Sequence, residues 1–251
     1  MLMDFLQLNN LRGLLVGDFC KDIFIYGKCD RLSPEAPVPV FCETRRVATE
    51  GMAGNVKNNF QQFTDSFDFV FSGENCVKTR FIEQSSNQHM LRVDEESGFH
   101  EIRLPDNLQQ YDYYIISDYC KGSITDNVIM EILKQKKLVF VDSKRRDLSI
   151  FDKSIIKINK KEKLKCKAVN EENLIVTLGS QGASWRNTIF ETEKVEVRDV
   201  SGAGDTFFAS FIAKFLTTNS FSKSIQFANK CSTSVVRKSG TSTVNLSEIL
   251  R

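Results

Sequence analysis

The sequence predicts an α/β fold, a doubly wound and mostly parallel sheet with a small β lid. Short apolar runs alternate along the chain with segments in which apolar residues recur at helical spacing. Continuous apolar runs are typical of strands buried on both faces, as in a parallel sheet covered by helices. With 251 residues, 41% of them hydrophobic, the chain is long enough for one such domain and its core.

Six apolar runs predict the strands of the main sheet. They lie at residues 14–16, 67–71, 113–116, 138–141, 155–158 and 174–176. Helical spacing between and after them predicts helices at 56–63, 126–135 and 206–216. The lid prediction depends on three segments that alternate or are short, as half-exposed antiparallel strands do, at 24–28, 38–46 and 90–94. We therefore predict a single domain over 1–251, with lid strands from about 22–47 and 86–104.

Polar residues follow several of the predicted strands. Open parallel sheets bind ligands at the carboxyl ends of their strands. The polar residues that fall at those ends are Gly17 and Asp18, Ser117 and Asp118, Asp142 to Lys144, Asn159, and Thr177. We therefore expect one binding site along this edge of the sheet.

The strongest chemical signal is the segment 199–207, D-V-S-G-A-G-D-T-F. It precedes and enters the helix predicted at 206–216, so Gly202, Ala203 and Gly204 lie at a helix N-terminus. Free backbone N–H groups and the helix dipole make such an end a site for anions, phosphate included. Asp205 does not suit phosphate binding, but it suits a base that accepts a proton from an attacking hydroxyl. The alternative is an ordinary glycine-rich loop with a first-turn Asp.

Segment 199–207 resembles the C-terminal signature of the PfkB (ribokinase-like) carbohydrate kinases. Residues 31–40, R-L-S-P-E-A-P-V-P-V, closely resemble a segment of the bacterial D-glycero-D-manno-heptose-7-phosphate kinases. The elements S-D-Y-C-K-G at 117–122, N-x-x-E at 159–162 and T-L-G-x-x-G at 177–182 follow in the family's order. The resemblance implies a ribokinase-like fold, a lid that closes over a sugar, and transfer of phosphate from ATP, with the anomeric hydroxyl of heptose 7-phosphate as the leading acceptor.

The resemblance also implies roles for individual residues. Asp205 would be the base, and Gly202, Ala203 and Gly204 would hold the transferred phosphate. The nucleotide side would comprise Asn159, Glu162, Thr177, Gly179, Gly182, Asn229 and Lys144. The sugar side would comprise Asp18, as the strongest candidate, with Asp22, Gly51, Asn55 and Lys121. Glu162 would order Mg²⁺ through water, and Asp199 would lie near a monovalent cation such as K⁺.

Two basic strand residues, Arg80 and Arg92, are candidates for contact with a substrate phosphate, and rim salt bridges are the alternative reading. Lys121 and Lys144 are also candidates for contact with phosphate, and the alternative is that they are solvated surface residues, as isolated lysines more often are. The apolar residues of the lid favour a homodimer formed through it, since a thin flap cannot bury both of its faces. Those residues are Phe24, Ile25, Val38, Val40 and Phe41.

The chain departs from the family at three places. Met52 replaces the second glycine of a G-G-x-x-N turn, and only short connectors remain at 73–77 and 162–174, so two outer-layer elements are missing. Such connectors cannot hold a full crossover helix. Two alternatives therefore stay open: a kinase for another sugar or a nucleoside, and a trimmed, weakly active or inactive homologue that binds ligand or dimerises.

Charge and cysteine content exclude other classes. The net charge of +2 comes from 34 basic and 32 acidic residues that are well mixed, so no basic stripe indicates nucleic-acid binding. The seven cysteines are scattered singly, which argues against a zinc site or a disulfide framework and favours reduced thiols in the cytoplasm. We expect neither a signal peptide nor a membrane span, because no long apolar stretch is present.

Overall fold

The computed structural model describes residues 5–238, 240 and 242–249. The strands within these ranges are β1 (Gly13–Lys28), β2 (Cys42–Met52), β3 (Phe67–Ser72), β4 (Val77–Glu83), β5 (Gln88–Glu95), β6 (Tyr113–Asp118), β7 (Leu138–Ser143), β8 (Ile155–Asn159), β9 (Leu174–Thr177), β10 (Ala183–Trp185) and β11 (Thr188–Phe190). The helices are α1 (Ala53–Phe60), α2 (Asp126–Leu133), α3 (Lys160–Lys165), α4 (Ala203–Thr218), α5 (Phe221–Val236) and α6 (Leu246–Ile249).

The main sheet has the strand order β3-β1-β6-β7-β8-β9-β10-β11. The first six of these strands run parallel, and β10 and β11 add an antiparallel hairpin at one edge. All six predicted core strands are present, since continuous apolar runs mark strands that are covered on both faces. The predicted α/β fold with a mostly parallel sheet is confirmed.

Two apolar clusters cover the two faces of this sheet. On one face α1, α4 and α5 pack, and three phenylalanines of α4, Phe207, Phe211 and Phe215, stack along the helix at i, i+4, i+8 spacing. On the other face α2 packs with Leu148 and Phe151 of the β7–β8 connection. Helices on both faces make the fold doubly wound, as predicted.

The first strand, β1, belongs to both the main sheet and the lid. Its first half pairs with β3 and β6, and its second half pairs with β2 in antiparallel and β4 in parallel orientation. The sequence analysis treated 14–16 and 24–28 as separate strands, which was wrong. Residues 17–23 contain no proline, and both edges of the strand find partners, so the extended backbone continues without a break.

The lid consists of the second half of β1 with β2, β4 and β5, in the order β2-β1-β4-β5. It therefore includes β4, which lies outside the ranges predicted for lid strands, and β2 begins at Cys42 rather than residue 38. Strand β3 ends opposite Asp18 of β1 and β4 begins opposite Lys21, so the chain passes from the main sheet into the lid along β1. Four residues suffice for this connection, and no crossover helix is needed.

The second short connector links β8 to β9. Residues 160–173 hold only the six-residue α3 and a 3₁₀ turn at Glu171–Asn173, yet β8 and β9 are still parallel neighbours. The neighbouring connection from β7 to β8 likewise contains just a 3₁₀ turn, Ser149–Phe151. The sheet is thus complete here while its outer layer is thin, as the short connectors predicted.

The distribution of apolar side chains in the lid differs from the expectation. Phe24 and Ile25 are buried within the chain, at 3% and 4% exposure. Val38 is exposed as expected, and the other large exposed apolar side chains of the lid region are Leu32, Val47, Met90, Leu91 and Val93. All seven cysteines are free thiols. Within the described ranges, no helix combines the length and apolar character that crossing a membrane requires.

Candidate active site

A cavity of about 360 Å³ lies between the lid and the carboxyl ends of the main-sheet strands. Its walls come from β1, the turn into α1, β4, β5, the turn after β6, and the start of α4. The predicted site residues that line it are Asp22, Gly51, Asn55, Lys121, Lys144, Gly202 and Asp205. The structure thus brings the predicted base, part of the predicted anion site and four of the five sugar-side residues to one cavity.

Asp205 lies in the first turn of α4 and is held by two donors from other elements. The Asn55 side chain donates to its Oδ2 at 2.7 Å, and the Tyr119 hydroxyl donates to its Oδ1 at 3.0 Å. Enclosure by protein raises the pKa of the Asp205 carboxyl to about 6, against the lowering effect of the nearby Lys157 ammonium. A carboxylate with a raised pKa in a cavity is well suited to accept a proton near neutral pH.

Lys157 is a site residue that the sequence analysis missed. It lies in β8 between two buried isoleucines, is 5% exposed, and donates from Nζ to Asp142 Oδ2 at 2.7 Å. Burial by itself lowers the pKa of Lys157, but the Asp142 and Asp205 carboxylates raise it above its ordinary value. The signal was present in the sequence, because a lysine inside a buried strand requires a charged partner.

The Lys157 ammonium also lies against the N-terminus of α4. A Cβ placed on Gly204 would lie 3.2 Å from its Nζ. Gly202 is the N-cap, with the left-handed φ of 78° that glycine adopts readily, and Ala203 begins the helix. Close approach of a phosphate was the sequence-based reason for small residues here, and the structure adds a second reason, room for Lys157. The helix dipole and the Lys157 ammonium therefore both create a positive potential in front of the α4 N-terminus.

Asp22 and Asp18, both predicted to contact substrate hydroxyls, lie in different surroundings. Asp22 lines the cavity and accepts a 2.6 Å bond from Arg80, and a Cβ on Gly51 would collide with its carboxylate. Asp18 is fully buried beneath the cavity, where its Oδ2 accepts from the backbone N–H of Tyr119 at 2.7 Å and of Lys121 at 3.3 Å. Its other oxygen accepts from the Ser123 hydroxyl.

The turn into α1 contains the departure noted at Met52. This residue is the N-cap of α1 and has a φ of 53°. A left-handed φ suits glycine and is strained for a residue with a Cβ. The backbone thus keeps the conformation that the family's glycine favours, and Asn55 reaches Asp205 from it.

On the predicted nucleotide side, most polar side chains form hydrogen bonds with backbone groups. Asn159 and Glu162 form a capping box on α3: Glu162 N–H donates to Asn159 Oδ1 at 2.9 Å, and Asn159 N–H donates to Glu162 Oε2 at 2.7 Å. Asn229 donates from Nδ2 to the Phe190 carbonyl at 2.8 Å. Asp199 accepts from the backbone N–H groups of Ser201 at 2.8 Å and Gly240 at 3.0 Å, which ties two loops together.

The remaining nucleotide-side residues form the end of β9 and the loop after it. The Thr177 hydroxyl donates to the Ile158 carbonyl at 3.4 Å. Gly179 and Gly182 have φ of 63° and 91°, which explains glycine at both positions. Lys144 lies with Nζ 3.9 Å from Glu162 Oε1 and 4.1 Å from the centre of the Tyr119 ring, so it borders both sides of the site.

The lining of the cavity is strongly cationic. The basic side chains that line it are Lys78, Arg80, Arg92, Lys121 and Lys144. Arg80 of β4 and Arg92 of β5 are directly opposite each other in the sheet, an arrangement of like charges that is unfavourable by itself. Each of these cations has a carboxylate partner: Arg80 pairs with Asp22, Arg92 with Asp94, Lys78 and Lys121 with Glu96, and Lys144 with Glu162. The carboxylates among the lining residues are Asp22 and Asp205, so five cations face two carboxylates across the cavity. The sequence analysis named four of these cations and missed Lys78.

Comparisons with known proteins agree with this geometry. The family model described as pfkB family carbohydrate kinase matches residues 57–248. The chain is 30% identical to the bifunctional protein HldE of Nitratiruptor sp. over an alignment of 299 positions that covers 95% of this chain. HldE of Helicobacter pylori strain J99 is also 30% identical, with 94% of this chain covered. The chain spans about 64% of the length of these relatives, and the alignment is longer than the chain because they carry segments that it lacks.

Solved structures show the same fold at low identity. The ribokinase of Arabidopsis thaliana, solved with ribose and ATP, superposes with a TM-score of 0.71 at 16% identity, covering 96% of this chain and 97% of that one. The phosphofructokinase-2 of Escherichia coli, solved with potassium, gives 0.70 at 15% identity with the same coverage. With the fold, the family match and the relatives in agreement, the chain belongs to the pfkB family of carbohydrate kinases.

Proposed function

We propose that this protein transfers the γ-phosphate of ATP to the anomeric hydroxyl of heptose 7-phosphate. The observation that carries the proposal is the cavity, which has the base Asp205 on one wall and five cationic side chains around it, three of them on lid strands. A neutral sugar needs hydroxyl-binding groups but no such cation cluster. A sugar that already bears a phosphate would offset the excess of these five cations over the two carboxylates that line the cavity, Asp22 and Asp205. The likeness to HldE proteins supports the heptose, and the same likeness covers only part of their length.

The chemistry follows from the positions of the charged groups. Asp205 accepts the proton of the acceptor hydroxyl, since its enclosure raises its pKa to about 6, close to neutral pH. Negative charge on the transferring phosphoryl group then meets the N-terminus of α4 and the Lys157 ammonium. Asp22, beside the cavity wall at Gly51, accepts hydrogen bonds from sugar hydroxyls. Asn55 keeps the Asp205 carboxylate oriented toward the same sugar.

ATP and Mg²⁺ would lie on the nucleotide side. The group that fits the metal is Glu162: its Oε2 is engaged in the capping box, while its Oε1 lies 3.9 Å from Lys144 Nζ, beyond hydrogen-bond distance, and can accept from a metal-bound water. Magnesium retains several waters in proteins, so one such contact is compatible with it. Bound Mg²⁺ would neutralise phosphate charge. Asp199, whose oxygens accept from the Ser201 and Gly240 backbone N–H groups, is the residue that the family resemblance assigns to a monovalent cation such as K⁺. Thr177, Gly179, Gly182 and Asn229 would line the loop that receives the nucleotide.

We also propose that the protein forms a homodimer through the lid. On alternating positions, one face of the lid carries Arg80 and Arg92, and the opposite face carries Phe81, Leu91 and Val93. Leu91 is 57% exposed, and Val93 is also exposed. A second copy of this chain would cover that apolar face. Light scattering should show a dimer that Leu91→Asp with Val93→Asp converts to a monomer; a parent that is monomeric at micromolar concentration would contradict this.

The activity is tested by ATP consumption with a panel of acceptors. We expect turnover with heptose 7-phosphate, weaker turnover with fructose 6-phosphate, and least with ribose and nucleosides. ³¹P NMR of the product would identify the anomeric phosphate. A preference for ribose or a nucleoside would contradict the proposed substrate. No turnover with any acceptor, with binding retained, would support the trimmed, inactive homologue instead.

A further inference from the structure

We propose that Tyr119 is a positioning residue for the base, and that the buried carboxylates of Asp18 and Asp118 serve to hold the turn that carries it. The inference rests on the proposed function, in which Asp205 accepts the hydroxyl proton. It gives Asp18, expected from the sequence to bind sugar, a different task. Three elements are involved: the end of β1, the end of β6 with its following turn, and the first turn of α4.

The geometry at Asp205 leaves little freedom to the carboxylate. Its two oxygens accept from two donors on different elements, Asn55 on Oδ2 and Tyr119 on Oδ1. A carboxylate has about four acceptor positions, so an incoming hydroxyl still finds a free lone pair. With one donor on each oxygen the carboxylate plane is fixed. Removal of the Tyr119 hydroxyl would leave Oδ1 free to rotate with the side chain.

Tyr119 reaches Asp205 because its turn is held from below. Asp18 accepts from the backbone N–H groups of Tyr119 and Lys121 and from the Ser123 hydroxyl. Asp118 accepts from the backbone N–H of Cys120 at 2.8 Å, and Cys120 has a left-handed φ of 58°. Both carboxylates are almost fully buried, at 0% and 2% exposure. Two buried carboxylates thus bind the backbone of a single turn, and together they fix the position of Tyr119.

The Asp118 carboxylate is in turn fixed by β7 and the residues after it. Ser143 donates from its hydroxyl to Asp118 Oδ2 at 2.9 Å, and Arg145 donates from Nε to the same oxygen at 2.8 Å. Arg145 supplies the compensating charge that a buried carboxylate needs. The turn is thus anchored to three neighbouring strands of the main sheet, β1, β6 and β7.

The surroundings of Asp205 define what Tyr119 contributes. The charged and titratable groups around it are Lys157 on β8, Asp142 on β7, Tyr119 on the turn and, across the cavity, Lys144, Lys121, Asp22, Lys78, Arg80 and Arg92. Enclosure and the Asp205 and Asp142 charges raise the pKa of the Tyr119 hydroxyl well above its usual value. Tyr119 therefore stays protonated and acts as a donor only. Its hydrogen bond favours the ionised Asp205, which is the form that acts as a base.

The test is Tyr119→Phe, which keeps the aromatic ring beneath Lys144 and removes only the hydroxyl. Loss of a hydrogen bond to a charged group predicts a kcat roughly tenfold lower at neutral pH and an acidic limb of the pH profile about one pH unit higher. KM for ATP should stay within about twofold of the parent. Tyr114→Phe is the matched control, because its buried hydroxyl donates to the Leu108 carbonyl, away from the cavity.

A second measurement decides the inference without turnover. The ¹³C titration of the Asp205 carboxyl, assigned by its loss in Asp205→Asn, should move to higher pH in Tyr119→Phe and stay unchanged in Tyr114→Phe. Ser123→Ala, which removes one bond to Asp18 outside the cavity, should move it in the same direction by less. An unchanged titration in Tyr119→Phe overturns the inference, as does a rate loss confined to the sugar KM. A parent inactive with every acceptor would overturn the proposed function and leave this titration as the deciding result.

Discussion

The acceptor side and the nucleotide side of this molecule differ in what their polar side chains do. On the acceptor side, side chains bind other side chains across elements, as in Asn55 and Tyr119 on Asp205 or Arg80 on Asp22. On the nucleotide side, Asn229 and Asp199 bind backbone groups of loops. The acceptor side is therefore built as a charged cavity before ligand arrives. On the proposed nucleotide side, side chains instead fix the backbone of the loops.

The largest effect should come from the base. Asp205→Asn should lower turnover by ~10²–10⁴-fold, the usual contribution of a general base. The melting temperature at pH 7.5 should not fall, because a carboxyl whose pKa is raised in the folded state costs stability once it is charged, above about pH 6. Turnover at the parent level would show that Asp205 is not the base. It would also show that the acceptor hydroxyl does not lose its proton to this carboxylate.

The next largest effect should come from Lys157, which lies where the two sides meet. Lys157→Met leaves Asp142 buried without its partner, which typically costs about 3–5 kcal/mol of stability. Turnover should also fall, because one positive charge beside α4 is lost. Thermal unfolding and kinetics at saturating substrate would be measured against the control Lys153→Met at an exposed position. Equal stability of the two variants would contradict the buried ion pair.

The lid cations provide a test that separates the two sides. Arg92→Ala should raise KM for a phosphorylated sugar by roughly tenfold to a hundredfold, since a charge-assisted hydrogen bond is lost, and leave KM for ATP unchanged. Arg12→Ala, at an exposed arginine paired with Asp68, is the matched control. A rise in KM for ATP of the same size would mean that the cationic wall belongs to the nucleotide instead.

The pH dependence should reflect the acceptor side. Below about pH 6, kcat/KM should fall about tenfold for each pH unit, because the protonated Asp205 carboxyl cannot accept the hydroxyl proton. The measurement is kcat/KM for the sugar from pH 5 to 8 with ATP saturating and enzyme stability checked at each pH. A profile that stays flat down to pH 5 would contradict the raised pKa.

The smallest effect should come from a nucleotide-side residue. Asn229→Ala leaves the Phe190 carbonyl without this donor, and a lost buried hydrogen bond typically costs about 1–3 kcal/mol. The melting temperature should fall by several degrees, and kcat at saturating ATP should change little. Gln226→Ala, at an exposed position of the same helix, is the control. A large loss of kcat with normal stability would show that Asn229 contacts the nucleotide directly and would weaken the contrast between the sides.

The sequence predicted the main sheet well and the site in part. Apolar runs mark strands because burial on both faces leaves no polar positions, which is why β6 and β7 were predicted within two residues at each end. The continuity of β1 was missed because its pattern changes from continuous to alternating at residue 19, where the main sheet gives way to the lid.

The surroundings that the sequence did not predict are those that a third element provides. Asp18 and Asp22 both follow the first apolar run, and the sequence does not show that the 119–123 turn occupies Asp18. Lys157 is visible in the sequence as a lysine within a buried strand, but its partner Asp142 is identified only when the neighbouring strand is placed beside it. Tyr119 meets Asp205 over a separation of 86 residues, a contact that no local pattern encodes.

The uninterrupted course of β1 from the main sheet into the lid has a mechanical consequence. A flap on a flexible linker swings about a pivot, but here the chain crosses between the two layers as one continuous strand, with the four residues 73–76 beside it. Any opening of the lid would have to bend β1 while it stays hydrogen-bonded to its neighbours in both parts of the molecule. The lid therefore has no flexible hinge within β1, and its position relative to the main sheet is set by the curvature of one hydrogen-bonded strand.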